Sequence, residues 1–565
     1  MEIQNRYDTN PRDGTGAYLM GLCKLAKGLE EEAYDIFYKA SWSANTISKA
    51  MTFVAAIDCR RGEYAKMLEH ALLAVEKEGQ HPIASVYAAI ACSKLGKARC
   101  AINRLDEVLE RDPLNHLARF ARIRITGTPA EDFYALLNSN PSQTCLDVAF
   151  DLSAAGLHED AISLLEGLAH PSTMVRYTLG DLYERTGNAE KAAAARKSAS
   201  KDPIVEVFPY RLDEIAVLES AVKADPNDGT AAYLLGCILY DKKHYEAAAK
   251  LWIQATKVAP DFYIPYRNLA VACYGKLGRK SEALDWLKKA VALKPNDEQL
   301  LNEISFLMAS VNVPGQERAA YIKANLPADA GDDLLLELAK AYNDCGAYDE
   351  ALKVLLSHTF TPGEGGEFAI AETYMFGRFA AGRKELKNGN CEKALEYFQA
   401  ALQIPKNLNA AYWNESVTVP YRYYEAEALS RLGRVEEANA IIDHISKLNN
   451  SGMWNMGGEF TYYSAMIARL SGDVMKAQSI MRDAILNWEA QLADTRHAVP
   501  VQRPGRFFCL CYMDDPLEAK EANLYFMLGY GMLYNGEKET AKTYFARSLE
   551  LNPDNTKCRL ELELL

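Results

Sequence analysis

One short stretch restricts the fold of this chain more than any other: between Gly229 and Pro260, small residues fall where two helices would have to approach closely. The first half carries Leu235, Gly236 and Leu239, the second carries Ala248, Trp252 and Ala255, and Pro260 closes the segment. Apolar positions at helical spacing predict two amphipathic helices. Gly236 and Ala248 remove Cβ collisions at the crossing, Leu239 and Trp252 fill the groove between the helices, and Pro260 stops the second one. A pair this short cannot bury its apolar face alone, so it predicts neighbours of its own kind.

Those neighbours are present. Leu179, Gly180, Tyr183, Gly187, Ala192 and Ala199 repeat the register, and so do Leu528, Gly529, Ala541, Phe545 and Pro553. Gly21, Ala33, Phe37 and Ala40 give a copy at the beginning, while Gly96, Ala101, Leu105 and Pro113 give one with a degenerate first helix. Further copies centre on Ala161, Ala283, Ala351, Ala394 and Ala438. A unit of about 34 residues with this order of small and bulky positions resembles the tetratricopeptide repeat. The resemblance implies an all-α fold, a right-handed superhelical solenoid of helix-turn-helix units. Because each repeat in such an array touches only its neighbours, 565 residues need not divide into many separate cores.

The array is interrupted. Lys201–Arg211 places two prolines and a β-branched cluster between helices, which predicts a break and a division into arrays at 1–204 and 205–565. After about residue 310 the expected irregular segments lengthen: Val311–Asp332, Ser357–Ile370, Gln403–Tyr421, Lys447–Glu459 and Asp494–Leu517. Long loops inside a compact array are uncommon unless they bind or cover something, so the C-terminal half is the expected working surface.

The runs EEAYDIFYKASWS, FPYRLDEIAVLESAV, LGCILYDKKHYEAAAKLW, TPGEGGEF and LGYGMLYNGEKETAKTYFARSLELNPDN also resemble the repeat half of a bacterial family of undefined function. Full-length members join a β-rich, sugar-binding-like N-terminal domain to a long tetratricopeptide array. The resemblance runs from Gly14 to Asn555 and is most specific at FPYRLDEI and GEGGE. The resembling runs all belong to the repeat half, so the chain is expected to lack the β-rich portion, and Gly363 and Phe368 stand where the family pattern has Trp and Gly. The implied partner is a β-rich domain or a separate protein bearing one, with carbohydrate as a possible ligand.

Composition narrows the chemistry. Apolar residues make up 49% and charged residues 25%, the mix of an ordinary folded protein. A formal net charge of -13 disfavours nucleic acid as a partner. The polar start and the want of a long apolar run predict no signal peptide, no membrane span and a cytoplasmic location. The twelve cysteines lie mostly in apolar helical stretches and read as small buried hydrophobes of a reducing compartment. Cys509 and Cys511 are one residue apart and read as loop residues. Neither a metal-ligand spacing nor a phosphate loop occurs, so no metal and no cofactor is expected. The GxG at Gly529 and Gly531 falls inside a first helix and reads as packing.

The candidate binding residues follow from the loops and the groove. Glu364 and Glu367 sit in the glycine-rich GEGGE segment, where paired carboxylates either face solvent, dock another domain, or serve as acid and base on a glycosidic bond. Trp413, Glu415, Tyr421, Arg422 and Trp454 belong to aromatic clusters beside the insertions. Most of those aromatics read as interhelix packing, with Trp413 and Trp454 as exposed contacts. Tyr177 and Tyr233 occupy inward positions of first helices, a surface without the cationic grip that acidic chaperone tails require. The leading expectation is a non-catalytic interaction scaffold that docks a β-rich, carbohydrate-related domain or partner. One alternative has the loop carboxylates contributing to a shared glycoside-processing site, and another is a stand-alone peptide-binding adaptor.

Overall fold

In the computed structural model, residues 3, 13–78, 82–137, 139–202, 207–363, 366–412, 414–448, 458–494, 512 and 515–565 are described. Among them, thirty α-helices and two short 3-10 turns occur, with no strand. The fold is the expected all-α repeat array. It divides into two compact units, Met1–Val258 and Ala259–Leu565.

Within each unit the helices come as antiparallel pairs. The pair foreseen between Gly229 and Pro260 is formed by Gly229–Asp241 and Tyr245–Val258. Asp228 starts the first of these by accepting a bond from the Ala231 amide, which satisfies one of the free donors at a helix N-terminus. Ala248, Trp252 and Ala255 are buried against it. A Cβ added at Gly236 would lie 2.5 Å from the Trp252 indole nitrogen, so the two helices meet at the glycine as the spacing demands. The same lock recurs: Gly21 against Phe37, Gly382 against Phe398 and Gly529 against Phe545 would each bring a Cβ within 2.6 Å of the ring. In all four the glycine precedes the ring by sixteen positions, and Arg196 takes the ring's place opposite Gly180. The turns inside the pairs are three or so residues long and need a left-handed residue, as at Gly389 (φ 86°) and Gly536 (φ 81°).

The first unit carries one helix outside this pairing. Leu212–Ala224 follows the expected break and packs on Thr173–Arg185 and Gly229–Asp241. Arg211 pins its start by reaching Asp147 at 2.6 Å and Gln143 at 2.9 Å. In the second unit, the pairs run from Tyr263–Gly275 to Lys538–Leu551, and the last helix, Thr556–Leu564, packs against Gly366–Lys387 and Lys538–Leu551.

One expected loop is corrected. Val311–Asp332 contains the helix Gly315–Ala324, the second member of a pair with Glu298–Ser310. Its helix starts at Gly315, with Pro314 at the cap. Arg318, Ala319 and Ile322 are buried on its inner face, and Arg318 is ion-paired with Asp344. Ser357–Ile370 is corrected in its last part, since residues 366–370, Glu367 among them, begin the helix Gly366–Lys387. Apart from the helix ends they overlap, the other insertions after residue 310 fall, in their described parts, between one helix pair and the next.

Candidate functional site

The longest helix of the second unit, Gly366–Lys387, places Phe376, Phe379 and Arg383 at intervals of three and four, hence on one face. Against that face lies Thr556–Leu564. Arg383 donates twice to Glu561, at 3.0 and 3.1 Å, and Tyr530 donates to the same carboxylate at 3.2 Å. The guanidinium also sits 4.0 Å from the Tyr424 ring centroid. Arg383 and Glu561 are only 9% and 5% exposed, so the pair is a desolvated, bidentate clasp between residues 178 positions apart.

One helical turn before Glu561, Lys557 reaches Glu459 at 3.0 Å and Glu372 at 3.5 Å. Burial alone would depress its ammonium. The two carboxylates outweigh that effect and hold its pKa above the ordinary lysine range. The hydroxyls of Tyr421 and Tyr530 are pushed up, chiefly by burial.

Around this charged cluster the side chains leave room. A cavity of about 280 Å³ is lined by Met375, Phe376, Phe379, Tyr412, Pro420 and Tyr421, with Glu372, Glu459 and Lys557 on its edge. A second cavity of about 490 Å³ shares Glu372, Phe376, Glu459 and Lys557 with the first, so the two open on either side of the Lys557 ion cluster. It extends along Lys340 and Asn343 of the helix Asp332–Asp344. A third, about 800 Å³, is formed by the starts of Glu298–Ser310 and Asp332–Asp344 and by Thr361, Pro362, Gly363 and Gly366 of the glycine segment. Asp332 fastens that segment, accepting from the Thr361 amide at 2.6 Å and lying 2.6 Å from His358 Nε2. The result is a row of recesses along first helices, apolar and aromatic at one end and acidic at the other. Such a surface can seat a bulky apolar side chain and hold polar groups beside it.

The candidate residues are placed unevenly. Tyr421 lines the aromatic cavity. Glu415 is exposed and lies 2.6 Å from His444 Nε2. Arg422 is half-buried and approaches Glu425 at 3.9 Å. Tyr177 and Tyr233 belong to the first unit. Tyr177 is wholly buried and donates to both oxygens of Asp228 at 2.9 Å, so it presents no surface to a ligand. Tyr233 is half-buried, and its carbonyl accepts from Trp252 at 3.2 Å. Glu364, Trp413 and Trp454 lie outside the described residues, as do Cys509 and Cys511 and the side chain of Glu367. The first-helix residues Phe526 and Tyr530 are buried, Tyr530 on the wall of the aromatic cavity.

Phe376, Phe379, Arg383, Lys557 and Glu561 were not singled out beforehand. The spacing of Phe376, Phe379 and Arg383 marks a face that an ordinary packing stripe also satisfies. Nothing in the last helix announces that Glu561 meets an arginine so far away in the chain. Among the described residues, no group of His, Cys, Asp and Glu is arranged to hold a metal ion, and no helix is long and apolar enough to cross a membrane.

Two family models described as tetratricopeptide repeat match the chain, one over residues 215–257 and 233–298, the other over 522–555. Among solved structures, MamA AMB-1 is 22% identical, covering 35% of this chain and 98% of its own, with a TM-score of 0.21. MamA MSR-1 is 21% identical over 33% of this chain and 95% of its own, with a TM-score of 0.20. YrrB, described as a TPR protein with an unusual peptide-binding site, is 17% identical over 41% of this chain and 94% of its own, with a TM-score of 0.17. The helix pairs, their glycine locks and the matched repeats make this chain an all-α array of tetratricopeptide repeats.

Proposed function

We propose that the chain is a protein-interaction scaffold and that the recessed row of the second unit is where its partner docks. The carrying observation is the aromatic cavity beside an ion cluster, continuous with a second recess along the same helices. Its carboxylates are tied to Arg383 and Lys557, which suits holding a partner in place. Arrays of tetratricopeptide repeats take protein or peptide partners. The partner proposed here is the β-rich, carbohydrate-related domain implied by the FPYRLDEI and GEGGE resemblance. Supporting that choice, the described residues of the glycine segment rim the third recess.

The experiment is titration calorimetry of the whole chain with a purified β-rich domain of the resembled family. A parallel titration uses the variant Phe376→Ala/Tyr412→Ala. Truncating two aromatic anchors of a docking site is expected to weaken binding by about 1–3 kcal/mol each. Binding that the double variant leaves unchanged moves the interface elsewhere. No binding by the unsubstituted chain removes the β-rich partner and leaves the peptide adaptor to be tested in the same cell.

A further inference from the structure

Several cysteines of this chain are packing residues. Burial pushes the thiols of Cys59 and Cys237 up to about 11 and those of Cys145 and Cys558 up to about 12, which leaves them protonated and inert. Two cysteines differ. Cys92 lies in the helix Pro82–Lys94 and Cys100 in Ala98–Arg111, its partner across the hairpin, and their sulfurs are 3.4 Å apart. We propose that Cys92 and Cys100 form an oxidant-reactive dithiol, a modification site at which a hydroperoxide converts the pair to a disulfide.

The geometry separates two roles. Cys92 is 1% exposed, whereas Cys100 is partly open to solvent. Cys100 is the third residue of its helix, where the free amides of the N-terminus favour a thiolate. The contact with Cys92 and the nearby Arg104 guanidinium lower its pKa further. The neighbouring Cys92 thiol is raised, by burial first. Cys100 is therefore the attacking thiolate and Cys92 the resolving thiol.

The chemistry balances with one equivalent of peroxide. The Cys100 thiolate attacks one peroxide oxygen, an S–O bond forms, the O–O bond breaks, and hydroxide leaves and takes up a proton. The Cys92 sulfur then attacks the sulfenic sulfur, an S–S bond forms, the S–O bond breaks, and water leaves. Two thiols are oxidised and one peroxide is reduced to two waters. Disulfide formation shortens the sulfur separation from 3.4 Å to roughly 2.05 Å. Cys345 provides an internal control, since it is exposed and its sulfur bonds the Tyr342 carbonyl at 3.4 Å.

The test treats the reduced, full-length protein with hydrogen peroxide, alkylates the remaining thiols and maps them by mass spectrometry after trypsin. Cleavage after Lys94, Lys97 and Arg99 separates the two cysteines, so their disulfide appears as a two-chain peptide that disappears on reduction. We expect this peptide to be the main product at the pair, with Cys100 consumed at least roughly tenfold faster than Cys345. Cys92→Ser should divert Cys100 to sulfinic acid. Cys100→Ser, at the more open position, should leave Cys92 reduced. Full alkylation of both residues at a dose that oxidises Cys345 overturns the proposal, and so does Cys100 sulfinic acid, or a link to another cysteine, in the unsubstituted chain.

Discussion

The Arg383–Glu561 clasp makes a measurable prediction about the last helix. Glu561→Gln keeps the shape of the side chain but removes its charge, leaving the Arg383 guanidinium at 9% exposure without a counter-ion. Removing one partner of a buried pair costs about 3–5 kcal/mol. The lower figure applies here, because the glutamine carbonyl can still accept one bond from Arg383 and one from Tyr530, and because Tyr424 stacks on the cation at 4.0 Å. At about 1.36 kcal/mol per tenfold, 3 kcal/mol corresponds to a roughly 160-fold rise in opening. Hydrogen exchange followed by mass spectrometry on the peptide covering Thr556–Leu564 reads this directly. Its protection should fall by about that factor, or to the free-peptide limit if that comes first. Arg383→Met combined with Glu561→Leu should recover most of the loss, since well-packed apolar replacements of buried pairs are often neutral. A fall of less than about fivefold for Glu561→Gln (about 1 kcal/mol), or a double variant as damaged as the sum of the singles, refutes the reasoning.

Three further outcomes follow from the packing. Alanine favours a helix by about 1 kcal/mol over glycine, yet Gly382→Ala should lower the urea midpoint, because its Cβ would lie 2.6 Å from the Phe398 ring, and such overpacking costs about 1–3 kcal/mol. Phe398→Leu in the same chain should relieve the clash. Tyr177→Phe leaves the buried Asp228 carboxylate without its 2.9 Å hydroxyl bonds and should cost about 1–3 kcal/mol, read by urea unfolding. Burial first, then Asp147 and Asp213, raise Asp151 from 3.8 to about 7, so the folded form holds a proton that the unfolded chain has released between those values. Stability contributed there falls as pH rises through that window and is lowest above it. Asp151→Asn should therefore raise the urea midpoint at pH 8 relative to pH 5, measured against the unsubstituted chain.

The repeat was legible in the sequence because its signal is local. Gly236, Ala248, Trp252 and Ala255 lie within one hairpin, and each acts on a residue fewer than twenty positions away. Val311–Asp332 reads as irregular because proline and glycine that end one helix can also begin another, and the buried Arg318 of its helix meets Asp344 in the next pair. The site was harder to read. Tyr421 was a candidate and does line the cavity, but its neighbours Phe376 and Phe379 look like packing until the void beside them is visible. Tyr177 has the position of a groove residue, and its burial depends on Asp228, 51 positions later. Charge clusters assembled from three helices, such as Lys557 with Glu459 and Glu372, leave no pattern in a linear reading.

The sixteen-position lock between glycine and ring has a consequence for how chains of this kind can change in length. One residue added inside a hairpin turns everything after it by about 100° on the second helix and swings the ring away from its glycine. One residue added between hairpins turns nothing that the lock depends on, and lengthening a flexible connection costs little, about 0.6 kcal/mol for each doubling. The long connections after residue 310 all fall in the second class. Length, and with it new surface, accumulates where the geometry is indifferent to it, and a scan of single-residue insertions along this chain should rise and fall in tolerance with the same alternation.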